Sequence, residues 1–284
     1  MATTFHFIVS LPADRPAQLS LASEVLHRAH DIVARLESEL TEFRPESPVY
    51  RLNHAPIGER VALPASALEL LDRAERARAS TDGHFDCTAK SAAGARGGIA
   101  WDEHAAWRTH AATHLGFGAI GKGYALDRVR LLIEDAGFTD YLLSGGGSSV
   151  ILSGFAAPGD PWSWGWSWKK DSAGEDLGQS FTHASGRAIA LGISGTHERG
   201  EHILRSDATG TSPLSSLVAA SSATEADAWS TALFLAEFEE GLTLMDRAFG
   251  GGAMPEAARA VARIESDGTP RWNGTFQHLW GTPA

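Results

Sequence analysis

GFGAIGKGYALDRVRLLIEDAGFTDYLLSGGGSSV, residues 116–150, decides the fold. A glycine-lined loop, 116–123, opens a helix read from Tyr124 to Asp135, and Gly137 beyond its end acts as the stop. An apolar strand follows from Tyr141 to Val150, broken by Gly145, Gly146 and Gly147. Loop, helix and strand in quick succession predict helices layered on sheet. The loop matches two nucleotide-binding patterns in part. Gly116, Gly118 and Gly121 satisfy G-x-G-x-x-G, but His110–Leu115 is a poor apolar strand and no βαβ unit with its acidic residue follows. Gly116, Gly121 and Lys122 approach a P-loop, which fails at Gly123 because glycine has no hydroxyl for Mg²⁺. Two readings stay open: a cradle of N–H groups and a lysine that suits an anion, or a tight turn with a surface lysine.

Outward from this stretch, helices and strands alternate irregularly. Phe5–Ser10 reads as an opening strand, and a long helix follows with Val25, Ala29, Ile32, Val33, Leu36 and Leu40 on one face. TEFRPESPVYRLN, 41–53, is rich in turn formers and reads as irregular; a second helix runs from Ser66 to Ser80 after Pro64. TDGHFDCT, 81–88, is a turn-rich loop, 92–98 a small-residue excursion, and WRTHAATHL, 107–115, reads as a strand. Further strands are read at 159–170, 185–191 and 216–221, a helix at 225–237, and a hairpin turning at Asp267-Gly268. The expectation is an α/β chain of the α+β kind, with mixed sheets flanked by helices and no regular barrel.

Composition bounds the function. The 284 residues, 43% hydrophobic and 21% charged, suffice for a sizeable core, so no staple is needed. The net charge of −11 repels nucleic acid and anionic membranes. The single Cys87 rules out an intrachain disulfide and fits a reducing compartment. The start, MATTFHFIVSLPADRP, lacks a basic segment followed by a long apolar run, and no apolar stretch is long enough to span a membrane. The expectation is a cytoplasmic protein with no membrane anchor.

Five groups of residues invite chemistry. Asp227 and Thr231, four apart on a helix, share a face and offer hard oxygen donors suited to Mg²⁺. The spacing Thr224-Glu225-Ala226-Asp227 equally describes a helix cap, and spacing alone favours the cap. His202 lies in a glycine-bordered polar loop, either as a general base or as an exposed imidazole. Trp162, Trp164, Trp166 and Trp168 share one face of a strand, where a core stripe is the preferred reading over an aromatic platform. Asp82–Asp86 is a turn ending in a carboxylate, or a loop anchored by a buried Phe85. His110 and His114 have no third ligand, so zinc is discarded.

The order of these segments resembles the FAD:protein FMN transferase family, the ApbE-type flavin transferases, from about Leu36 to Leu235. The likeness is carried by TEFRPESPVYRLN ending in Arg51-Leu52-Asn53, by T-x-G-x-F-D-x-T at 81–88, and by Gly118, Ile120, Lys122, Gly123, Tyr124 and Asp127. It continues through the glycine-rich strand 143–147, the segment Pro161–Trp166, Ser194-Gly195 with His202-Ile203, and A-D-A-x-x-T-A-L at 226–233. The resemblance implies an ApbE-like, T-fold-related architecture, one domain over 1–284 with two intimate lobes and FAD in the cleft between them.

It further implies that Asp227, Thr231 and the carbonyl of Ala119 bind Mg²⁺, and that Lys122, Phe85, Asp86, Phe43, His202 and Ile203 line the FAD site. His202 is the implied base, deprotonating a Thr or Ser hydroxyl of an acceptor flavoprotein that then takes the FMN half of FAD and releases AMP. With water as acceptor the same site makes a pyrophosphatase, and without chemistry it makes an FAD-binding protein. Several positions depart from the family pattern. His202–Gly210 is one residue longer and lacks the usual proline, Arg205 stands where an aspartate is usual, Ile193 replaces a threonine, and Gly116 occupies a place where aspartate is common.

Overall fold

The computed structural model describes residues 3–12, 18–92, 94–170, 176–195, 212–250 and 260–280. The chain opens with strand β1, Phe5–Val9, and helix α1, Gln18–Leu40, then α2, Pro48–His54, β2, Val61–Ala62, and α3, Ala65–Ser80. Two short strands, β3, Ile99–Trp101, and β4, Ala105–Arg108, lead to α4, Gly121–Asp135. Next come β5, Tyr141–Gly145, β6, Ser149–Ala157, β7, Asp160–Lys170, β8, Asp176–His183, β9, Ser185–Gly195, and β10, Ser215–Ala220. The remainder comprises α5, Ala223–Leu235, α6, Phe238–Phe249, β11, Ala260–Ile264, β12, Pro270–Trp272, and α7, Gly274–Trp280.

Among the described residues the strands form two antiparallel sheets. The larger runs β1-β5-β6-β9-β10-β11-β12, with the β7–β8 ribbon branching from β6; the smaller runs β2-β4-β3. The larger sheet is covered on both faces, which its alternation records. On β6, β9, β10 and β11, Val150, Leu152, Ile189, Leu191, Leu217, Ala219, Ala260 and Ala262 face one core, shared with Trp162, Trp166, Phe181 and Phe276. Their neighbours Ile151 and Ala190 face a second core under α1 and α4, and Val218 and Val261 face a third under α5 and α6. Strands buried on both faces read as unbroken apolar runs. Each fully buried aliphatic side chain here contributes about 1.5–3 kcal/mol. The tryptophan stripe is therefore core: Trp162 and Trp166 are buried and Trp164 and Trp168 pack against them.

The expected helix and strand boundaries shift where tertiary contacts outweigh local signals. Residues 48–54 are helical rather than irregular, because the Ser47 hydroxyl accepts the Val49 N–H at 3.2 Å and Pro48 begins the first turn. Helix α4 starts at Gly121, not Tyr124, although each glycine in a helix costs about 1 kcal/mol relative to alanine. The triple glycine does not break one strand; it turns β5 into β6, with Gly146 and Gly147 at φ 62° and 73°. The strand expected over 107–115 ends at Arg108, and the His110 ring nitrogen accepts the Ala112 N–H in the turn beyond it.

Candidate active site

Helix α5 is buried on nearly every side, and two glycines let backbone reach it. A Cβ on Gly123 would overlap the Ala223 carbonyl, and one on Gly192 of β9 would overlap Ala226. The first turn of α4 is thus pressed against the first turn of α5, with β9 on another flank.

That crossing sets the environment of Asp227. Its Oδ2 accepts the Gly123 N–H at 2.8 Å and its Oδ1 accepts the Ser149 hydroxyl at 2.7 Å. The Lys122 ammonium, itself buried, stands 4.0 Å from Oδ2. Burial pushes the Asp227 carboxyl above the usual carboxylate range, against the pull of the Lys122 charge and the Ser149 and Gly123 donors. A carboxylate so deeply enclosed is short of positive charge, and each of its oxygens keeps a further lone pair.

One turn on, the Thr231 hydroxyl donates to the Asp227 carbonyl at 3.2 Å and lies 3.2 Å from the Ser194 hydroxyl. Ser194 also meets Ser230 at 3.0 Å, so β9 holds the hydroxyl face of α5. A carboxylate and a hydroxyl on one helix face, opposite the Ser194 hydroxyl of β9, are hard donors that fit a divalent cation such as Mg²⁺. Ala119 lies in the turn where the Ile120 and Gly121 N–H groups bond the Phe117 carbonyl, just ahead of α4. Among the described residues, no three His, Cys, Asp or Glu side chains cluster as a metal site.

The cap reading of Asp227 does not hold. Ser222 is the N-cap of α5, accepting the Glu225 N–H at 3.3 Å. The orphan N–H groups beyond it are served from α4: Asp127 accepts the Ala223 and Thr224 N–H groups at 2.9 Å and the Ser222 and Thr224 hydroxyls at 2.7 and 2.5 Å. Asp227 is left free of capping and turns inward. Asp127 and Ser149 are the positions in this arrangement that pattern reading passed over. Asp127 stood in the quoted motif without a role, and Ser149 gave no signal besides its place after the glycines.

The other expected site residues divide. Asp86 accepts the Thr88 N–H at 2.7 Å and the Thr88 hydroxyl at 2.6 Å, while Thr88 accepts the Gly97 N–H at 2.7 Å, so this carboxylate ties its own loop. Phe85 is 1% exposed and belongs to the core beneath that loop, as its anchor. Asn53, ending the R-L-N motif, clamps Leu115 with its amide, accepting the N–H and donating to the carbonyl, both at 2.8 Å. Phe43 is 75% exposed. A Cβ on Gly116 would stand 3.0 Å from a Glu42 carboxylate oxygen, a tight contact, so the space beside the position where an aspartate was expected already holds a carboxylate. His202 and Ile203 lie outside the described residues.

Comparisons with known proteins add the ancestry of this geometry. A model of the ApbE family matches residues 1–254. Among solved structures, flavinyl transferase ApbE from Pseudomonas stutzeri, in its apo form, is 21% identical, with a TM-score of 0.78 over 99% of this chain and 98% of that one. Flavin transferase ApbE from Vibrio cholerae is 16% identical, with a TM-score of 0.77 over 98% and 96%. The ApbE protein from Thermotoga maritima is 19% identical, with a TM-score of 0.72 over 98% and 99%. At these identities the likeness is one of fold. No curated protein sequence matches the chain.

Proposed function

The chain belongs to the ApbE family, and from that premise we propose that it transfers the FMN half of FAD to a Thr or Ser hydroxyl of an acceptor flavoprotein, releasing AMP. The observation that carries the reading is the buried Asp227 carboxylate, faced by Lys122 and backed by the Thr231 hydroxyl, at the crossing of α4 and α5. Asp227, Thr231 and the Ala119 carbonyl would hold Mg²⁺, which when bound neutralises the pyrophosphate and stabilises the AMP leaving group.

The protein's own groups do the rest. Lys122 supplies a fixed positive charge beside the pyrophosphate, in a site dry enough for that charge to count. Phe43, Phe85 and Asp86 belong to the flavin end, with Phe43 offering its face and the other two shaping the wall behind it. His202 takes the proton from the acceptor hydroxyl, and Ile203 lines the FAD site. The hydroxyl oxygen bonds to the flavin-side phosphorus as the bond to the AMP oxygen breaks. No helix among the described residues is long and apolar enough to cross a membrane. A cytoplasmic setting is supported by the single cysteine.

Incubation of the purified protein with FAD, Mg²⁺ and a Thr-containing acceptor domain tests the reading. The expected result is a fluorescent acceptor band on a denaturing gel together with AMP. AMP without a band, for acceptors carrying either Thr or Ser, would replace transfer by hydrolysis. Unchanged FAD would leave a binding protein.

A further inference from the structure

Beside Gly116, in the turn that leads into α4, four side chains form an assembly of which the proposed function uses only Phe43. Glu42 is the hub: its side chain is 7% exposed, one oxygen 2.6 Å from the Lys90 ammonium and the other 2.5 Å from His114 Nε2. A carboxylate this deeply buried is retained only when both oxygens are bonded. Its Lys90 partner is half-exposed, and the ammonium lies 5.3 Å from the ring centre of Phe43, the most exposed large hydrophobic residue among those described.

A freely solvated lysine explores many rotamers, and an exposed phenylalanine offers a bare apolar face at a cost. Here the lysine is held beside the phenylalanine. Glu42 anchors the lysine, its own position is fixed against Gly116 and His114, and Asn53 clamps Leu115 next to both. An ammonium has three donor hydrogens, of which Glu42 takes one, leaving two for another acceptor. An aromatic ring with a tethered cation 5.3 Å from its centre suits a flat ring that carries acceptor oxygens and nitrogens.

We infer that Lys90, held by Glu42 over Phe43, is a specificity-determining residue for the ring end of the dinucleotide. It donates to the carbonyl and nitrogen acceptors of the isoalloxazine, while Lys122 serves the phosphate end. This rests on the flavin reading above, and three probes separate the two. Riboflavin carries the ring without phosphate, ADP the phosphates without the flavin ring, and FAD both.

Lys90→Met keeps the stem and removes the charge at a half-exposed position, so the fold is preserved. Affinity for riboflavin and FAD, read by quenching of flavin fluorescence, is expected to weaken about tenfold, with ADP affinity by calorimetry unchanged. Glu42→Gln, which keeps the shape but loosens the tether, is expected to fall between wild type and Lys90→Met. Unchanged riboflavin affinity in Lys90→Met would reduce the lysine to a surface ion pair and overturn the inference. Tighter binding would do the same, making Lys90 a cover that the ligand displaces. Equal weakening toward ADP would move it to the phosphate end, also against the inference. A wild-type protein that binds neither flavin would overturn the flavin reading itself, before any variant is made.

Discussion

Asp227 shows why residue-level signals in this chain were ambiguous. Four-residue spacing puts it on one face with Thr231, but an acidic residue near a helix start is equally at home as a cap. The choice was made by residues far away in sequence: Asp127 took the capping work, and Gly123 and Ser149 drew the Asp227 carboxylate inward. No local pattern contains that information. Asp227→Asn separates charge from shape. An asparagine can keep its oxygen on the Gly123 N–H and turn its amide toward Ser149, whose hydroxyl then accepts. Melting temperature is expected to stay within a few degrees of wild type, because a buried charge is exchanged for a neutral group. Metal-dependent FAD turnover is expected to fall by about a hundredfold or more. Turnover retained at the same Mg²⁺ requirement would remove Asp227 from the metal site.

The elements were legible where one face is buried and obscure where backbone approaches backbone. The hydrophobic stripe of α1 identified it from the sequence, with Val25, Ala29, Leu36 and Leu40 all buried. Period two identified β7. The start of α4 was missed, because its glycines weaken a helix in isolation and are there to let α5 come close. Helices α6 and α7 and strand β8 were missed too; α6 follows α5 after a two-residue break, where the pattern reads as one helix running on. Asp127 makes the α4–α5 crossing specific. Asp127→Ala removes the acceptor of two N–H groups and two hydroxyls, a loss of about 2–3 kcal/mol. Chemical denaturation is expected to show that loss, and Mg²⁺-dependent turnover to fall with it, since α5 carries both Asp227 and Thr231. Full stability in this variant would contradict the cross-helix cap.

At the scale of the molecule, the layered α+β class was legible because irregular alternation of helix and strand excludes a barrel. The order of strands in the larger sheet was not, since β9 pairing with β6 and β10 depends on contacts that no spacing encodes. The same compact layering governs the response to alkali. Burial pushes the Cys87 thiol up to about 12, with the Asp86 charge adding to it. Burial, helped by hydrogen bonds to Glu69 and Glu134, raises the Tyr124 and Tyr141 phenols. All three are neutral when protonated and raised in the folded state, so the unfolded chain releases its protons first. Stability is whole below their unfolded values, about 8.5 for Cys and about 10 for Tyr, and is lost as pH rises through that range toward the folded values. The urea midpoint is expected to fall steadily between about pH 8.5 and 11. A flat midpoint across that range would mean these groups ionise equally in both states.

The central claim is that this chain cleaves the FAD pyrophosphate through a metal held on α5. Its most direct measurement is AMP release from FAD by the purified wild-type protein, titrated with Mg²⁺ and repeated with a chelator. AMP that appears with Mg²⁺, saturates, and stops on chelation is the result predicted. Absence of AMP at any Mg²⁺ concentration, with FAD bound and intact, would contradict the claim.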